Sequence, residues 1–213
     1  MRREPATDRA IAEIADRQGG VIARWQLIEL GLGAAAIDHR VRAGRLHPLH
    51  RGVYAVGHRV VGVVGRRWAA VLACGDGAVL AGVSAAAAFG IRRSSSRTIH
   101  VLVGRSGRKR RDGIRLHWQR TIPSDEVAEL DGLPITTPQR TLLDLAAGGM
   151  HGRSLEAAVD SAERQRLLDF ARRARAPRAL PGTPRYSLSQ SGVGAVSGRR
   201  HAEQARGARG RAV

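Results

Sequence analysis

Apolar positions in the first quarter of the chain recur at helical spacing in three short runs and then switch to alternation. Ile11, Ile14 and Ala15 stand at i, i+3 and i+4, with Asp8 placed as an N-cap ahead of them. Gly19 and Gly20 end that period, and Val21 and Ile22 follow as a short apolar link. A second helix is predicted over 24–30, with Trp25 and Ile28 turned to the core and Gly31 at its C-terminal end. Leu32 and Gly33 make a tight turn into a third helix over 34–43. Ile37 and Val41, with Ala34 beside them, face inward; a helical turn of about 100° per residue then throws Ala35, His39 and Arg42 outward, with Asp38 and Arg40 on the flanks. Gly44 closes this helix. Leu46, and then Val53, Tyr54 and Val56, belong to two short strands around a turn at 48–52. Three helices and a hairpin form the layout of a winged helix-turn-helix.

The remainder reads as a small mixed α/β unit. Residues 57–65 are a connector, 66–73 a short helix and 78–80 a strand, and Ser84 N-caps an alanine-rich helix over 85–89. The runs 98–103 (TIHVLV) and 114–119 (IRLHWQ) are strands joined by a hairpin loop. Residues 121–137 are extended, with a turn at Asp131 and Gly132. Thr137 followed by Pro138 is a helix start, an N-cap with proline at the first helical position. Leu142, Leu145 and Ala146 share a face of that helix, and Gly148 and Gly149 stop it. A last amphipathic helix spans 154–170, with Leu155, Ala158, Val159, Ala162 and Leu167 as its apolar stripe. From residue 171 onward there is no apolar period, ten arginines and one acid, Glu203, which predicts disorder. The expected plan is α/β (α+β): a disordered 1–7, a winged helix over 8–62, an α/β domain over 63–170 and a disordered tail over 171–213. No internal repeat is present.

Composition adds a partner class. The 213 residues are 43% hydrophobic but only 3% aromatic, so the core is built from Ala, Val, Leu and Ile. A net charge of +18 points to a polyanion. Lys109 is the only lysine, so the charge is almost all arginine, a bias that genome composition also produces. A helix of the third kind fits a major groove, which sets Ala35, His39, Arg40 and Arg42 against bases or phosphates. Arg24, and Arg45, His47, His50 and Arg51 on the wing, would meet phosphate or the minor groove. Arg105, Arg108, Lys109, Arg110 and Arg111 crowd the 104–113 loop as a second basic patch; contact with nucleic acid or an acidic partner, and a merely solvated loop, both stay open. Cys74, the sole cysteine, allows no intrachain disulfide and no cysteine-rich zinc site, which fits a cytoplasmic protein. The run 68–91 is long and nearly uncharged, but Asp76 and its flanking glycines interrupt it, so a helix–turn–strand–helix is expected rather than a membrane span. The N-terminus has no apolar signal-peptide region.

Catalytic patterns are wanting. A PD-(D/E)xK nuclease needs an acid two residues before its lysine, and Lys109 has Gly107 there. The spaced aspartates of a two-metal nucleotidyltransferase, a P-loop, G-x-S-x-G and H-E-x-x-H are all missing. His100 and His117 lie on neighbouring predicted strands, and without a carboxylate or cysteine near them in sequence they read as ordinary sheet histidines rather than metal ligands. Asp160 and Glu163 share a helix face as solvated acids. No catalytic residue, metal or cofactor is expected.

Three runs in order, VIARWQLIELGLGAAAIDHRVRAGRLHPLHRGVYAVGH, WAAVLACGDGAVLAGVSAAAAFGI and DGLPITTPQRTLLDLAA, resemble the AbiEi-type antitoxins of type IV toxin–antitoxin systems, in the branch with an N-terminal winged helix. The resemblance covers about residues 8–170 and is most specific at RVRAGRL, HRGVYAVGH and ITTPQRTLLDLA. It implies an autorepressor that binds double-stranded DNA at its own promoter, with a reading helix over 34–43 and a wing over 45–56, and a C-terminal part that counters a nucleotidyltransferase toxin without requiring a stable complex. A homodimer on DNA belongs to the same expectation, and a membrane does not. Two departures stand out. Relatives carry a polar or basic pair where this chain has Gly82 and Val83, and longer relatives continue into a domain similar to very-short-patch-repair endonucleases where this chain has its arginine-rich tail. Resequencing the locus decides between a truncated or frame-shifted gene and a genuine tail. A catalytically empty remnant of such a fusion and a non-specific nucleic-acid binder are the alternatives.

Overall fold

In the computed structural model, which describes residues 4–104 and 111–168, the first apolar period becomes helix α1 (Glu4–Arg17), with Ile11 and Ala15 buried. The helix starts a turn before Asp8. Residues 4–7, expected outside any element, are its first turn, and Asp8 is mid-helix rather than an N-cap: its carboxylate accepts from Arg40 at 2.9 Å. Gly19 and Gly20 end the helix at φ +65° and +89°, a region open to glycine at little cost.

Residues 21–23 are not a loose link but strand β1 (Val21–Ala23). Helix α2 (Arg24–Glu29) follows, and its expected inner face is corrected. Trp25 is half-buried, Ile28 is 55% exposed, and Gln26 and Leu27 are the buried pair. The rotation has a local cause: Gln26 Oε1 accepts the Ala23 N–H at 2.8 Å, which draws Gln26 inward at the helix start. Helix α3 (Ala34–Arg42) buries Ile37, with Val41 and Ala36 half-buried and Ala34 exposed rather than inward. Strands β2 (Leu46–His50) and β3 (Val53–Val56) complete an antiparallel sheet in the order β1-β3-β2, with an irregularity between Pro48 and His50.

This small sheet is covered on both faces. Ile22, Tyr54 and Leu46 pack with α1, α2 and α3, whereas Val21, Ala23, Val53 and Ala55 pack on the next helix. That helix, α4 (Val63–Cys74), is longer than the expected 66–73 and is buried from Trp68 to Cys74. Its other side meets Leu80, Val101, Val103 and Ile135 of a second sheet, so one core runs from the head through α4 into the rest.

The second sheet is built from β4 (Val79–Leu80), β5 (Ile99–Val103), β6 (Ile114–Trp118), β7 (Val127–Leu130) and β8 (Leu133–Thr136), in the order β6-β5-β4-β8-β7. Strands β5 and β6 pair in parallel, Ile99 with Ile114 through Val103 with Trp118, so the expected hairpin is replaced by a crossover. The ten residues of 104–113 are far more than the two of a tight hairpin, and at about 3.3 Å per residue their reach exceeds the length of β5. Asp131 and Gly132, at φ +50° and +78°, do form the tight turn read at that position, between β7 and β8.

Helix α5 (Gly82–Ala88) includes Ser84, which is therefore not its N-cap; the Ser84 hydroxyl instead accepts the His100 N–H at 2.9 Å. Helix α6 (Pro138–Ala147) starts as read: the Thr137 side chain accepts the Arg140 N–H at 3.3 Å. Leu145 is buried, but Ala146 is exposed and Thr141 takes the inner position, 2.8 Å from the Thr136 hydroxyl. Helix α7 (Arg153–Arg164) seats Ala158 and Ala162 against Ala86, Ile91 and Leu145. The run 68–91 is helix, turn, strand and helix, and among the described residues no helix is long and apolar enough to cross a membrane. The chain from 171 onward lies outside the described residues.

Candidate nucleic-acid interface

Helix α3 presents Ala35, His39 and Arg42 to solvent, on the side opposite Ile37. The turn between β2 and β3 brings exposed Arg51 and half-buried Gly52 to the start of α2, where the Arg24 N–H donates to the Gly52 carbonyl at 2.8 Å. The Arg24 guanidinium lies 3.3 Å from the Tyr54 hydroxyl and 3.6 Å from Asp38 of α3. Arg24 thus ties wing, α2 and α3 together at the rim of the outward face. Of the expected set, Ala35, His39 and Arg42 are thus exposed on α3, Arg51 is exposed in the turn, and Arg24 lies between the two elements. Arg45 is 64% exposed and 3.8 Å from Asp8, and His47 is half-buried beside it in sequence.

Two residues of the expected set point elsewhere. The Arg40 side chain is only 11% exposed and is drawn to Asp8 on α1, with its Nε buried and unpartnered among the described residues. It braces α3 against α1, because a guanidinium on the helix flank reaches the nearest carboxylate before it reaches solvent. His50 lines a cleft of about 350 Å³ between the wing and the second sheet, shared with Arg59, Arg66 and Arg97. Burial lowers the His50 pKa, and Arg111 adds to the effect. Of the second basic patch, Arg105, Arg108, Lys109 and Arg110 lie outside the described residues. Arg111 is half-buried and its backbone bridges to Ile114.

On the far face of the second sheet His117 Nε2 and His100 Nδ1 are 3.0 Å apart, so the two strands do set these rings against each other. Among the described residues no group of three His, Cys, Asp or Glu is placed to hold a metal ion. Burial lowers the His100 pKa to about 4, with His117 and Arg115 contributing, and burial also lowers that of His117. A histidine near 6.5 when unfolded and about 4 when folded favours the fold in its neutral form, so its contribution is complete above pH 6.5 and is lost as the pH falls toward 4. His100→Gln is expected to shrink the acid-induced loss of melting temperature over that window by about 2–4 °C, equivalent to about 1 kcal/mol after solvent screening. Thermal melts of both proteins at pH 4 to 7 check this; parallel curves would refute it.

Sequence reasoning passed over Arg140, whose guanidinium binds Glu126, Asp144 at 2.7 Å and Gln119 at 2.6 Å. The i,i+4 spacing of Arg140 and Asp144 was visible in the sequence, whereas Glu126 and Gln119 come from distant segments.

A family model described as a transcriptional regulator, AbiEi antitoxin, matches residues 9–57, and one described as the AbiEi antitoxin C-terminal domain matches residues 77–179. Both descriptions are regulatory rather than catalytic. A search of curated proteins finds no match. Among solved structures, the RV2827C protein from Mycobacterium tuberculosis is similar at 22% identity and a TM-score of 0.45, over 79% of this chain and 73% of that one. The first model falls on the helices and wing that gather the outward arginines, and the second on the mixed sheet and its helices. The chain belongs to the AbiEi antitoxin family.

Proposed function

We propose that this protein is a non-enzymatic, cytoplasmic autoregulator that binds the double-stranded DNA of its own promoter, and that it serves as the antitoxin to a nucleotidyltransferase toxin. The observation that carries the reading is the outward face of α3. His39 and Arg42 are exposed on α3, Arg24 reaches Asp38 of the same helix, and no carboxylate pairs with Arg42 or Arg51 among the described residues. A helix with two unspent cationic or polar side chains one turn apart suits base edges, and the flanking arginines suit phosphates. Ala35 leaves the close approach that a groove floor needs. Arg40 acts from behind, holding α3 on α1.

The test is fluorescence anisotropy on the protein's upstream DNA and on a scrambled duplex, across salt. Preference for the upstream duplex is expected to persist at higher salt, and Arg42→Ala to weaken it about tenfold or more. Equal binding to both duplexes, with a steep salt slope and no effect of Arg42→Ala, would leave only non-specific attraction by the +18 charge. Growth rescue on co-expression with a nucleotidyltransferase encoded next to this gene tests the antitoxin role.

A further inference from the structure

We propose that the cleft around His100 and His117 is a binding site for a phosphomonoester, a small organic molecule carrying a terminal phosphate. The cleft, about 450 Å³, opens between the outer face of β5–β6 and the starts and ends of α5, α6 and α7. This volume lies within the range of small-molecule sites and is far larger than a bare anion needs.

Its charges select the ligand class. Arg92 and Arg115 both line the cleft, and neither has a carboxylate partner among the described residues; Arg92 meets only the Met150 sulfur, at 3.9 Å. The one carboxylate in the cleft, Asp144, accepts from Arg140 at 2.7 Å, a guanidinium that it shares with Glu126. His151 adds a third imidazole at the rim. Two guanidinium groups without a carboxylate partner among the described residues thus line a cleft that holds one carboxylate, itself bonded to Arg140, and a dianion matches the pair.

The histidine pair adds hydrogen-bonding chemistry that fits the same group. Two neutral imidazoles hold two protons on four nitrogens, and one proton is committed to the bond between His117 Nε2 and His100 Nδ1. Whichever ring donates, the outer nitrogens present one N–H and one lone pair. An oxygen of the phosphate accepts from the first, and a hydroxyl of the organic moiety donates to the second. Helix α7 begins here with Ser154 on the cleft wall and no side chain capping its first turn, which leaves donors and the positive end of the helix on the same side. Val83, Leu145 and Met150 form the apolar wall that an organic moiety covers.

The experiment is isothermal titration calorimetry on the full chain in about 150 mM salt, where exposed charges are screened beyond about 8 Å. Adenosine 5′-monophosphate is the probe, with adenosine and inorganic phosphate beside it, and histidine ring resonances report the location. Saturable binding of the monophosphate with one site per chain is expected, with shifts confined to the cleft histidines His100, His117 and His151 and no binding of adenosine. Arg115→Gln and Arg92→Gln, both surface changes, are each expected to weaken it about tenfold or more. No saturable binding, or undiminished binding in both variants, overturns the proposal. Monophosphate no tighter than inorganic phosphate also overturns it, by reducing the cleft to a bare anion site. Displacement by duplex DNA would assign the cleft to nucleic-acid phosphates instead.

Discussion

Gly65→Ala is expected to lower the melting temperature by about 10 °C and to loosen the attachment of the reading head. Gly65 lies in the first turn of α4, against the chain as it leaves α1. A methyl group built on Gly65 overlaps the Gly19 carbonyl oxygen and sits 3.1 Å from Val61 Cβ; one built on Gly19 falls 2.6 Å from the Gly65 nitrogen. The nearest atom in each case is backbone, so it cannot swing aside as a side-chain tip does. Overpacking of a well-filled site costs about 1–3 kcal/mol, and a clash with main chain belongs at or above the top of that range. For a chain of this size each kcal/mol moves the midpoint by about 2–4 °C. The control is Gly62→Ser, three residues earlier, where no atom stands within 4 Å of the added carbon and the serine supplies a missing N-cap to α4. Its melt is expected to match the parent or exceed it slightly. Equal midpoints for Gly65→Ala and the parent would show that the two backbones part without cost, and that the joint is not rigid.

Arg140→Met is expected to be nearly as damaging, at about 3 kcal/mol and so roughly 6–12 °C in midpoint. The Arg140 side chain is 16% exposed and its guanidinium joins three segments: Gln119 just past β6, Glu126 in the turn ahead of β7, and Asp144 one turn along α6. Methionine matches the stem but leaves Glu126 and Asp144 without their shared cation. The loss is thus less the value of the pair than the cost of stranding two half-buried carboxylates. Two further melts separate these effects. Arg140→Lys is expected to recover little, because one ammonium cannot span three acceptors that a planar fork reaches together. Adding Glu126→Gln and Asp144→Asn to Arg140→Met is expected to recover about half of the loss. A parental midpoint for the lysine variant would show that only the charge, and not the fork, is needed.

The parts of the site that were legible in the sequence are those that depend on neighbours along the chain. Ile37 and Val41 fixed which side of α3 turns in, so Ala35, His39 and Arg42 were placed outward by arithmetic alone, and the structure keeps them there. Thr137 and Pro138 marked the start of α6, and Asp131 with Gly132 a tight hairpin turn, because each acts through its own backbone geometry. The illegible parts depend on groups far apart in sequence. Arg40 is a helix-flank arginine like Arg42 until α1 lays Asp8 2.9 Å from it. His50 reads as a wing residue until the second sheet closes a cleft on it. The six-residue α2 carries too few apolar positions to show its inner face, which the hydrogen bond from Ala23 to Gln26 decides.

What the sequence determined by itself is therefore the set of local elements, the polarity of α3 and the polyanion-seeking charge, because periodicity, caps and turns are short-range effects. Only the tertiary structure decided that β5 and β6 run parallel, that α4 serves two sheets with one core, and that His100, His117, Arg92 and Arg115 line one cleft. Strand direction and side-chain company depend on which surfaces meet when apolar area is buried, and that choice is made by the whole chain at once.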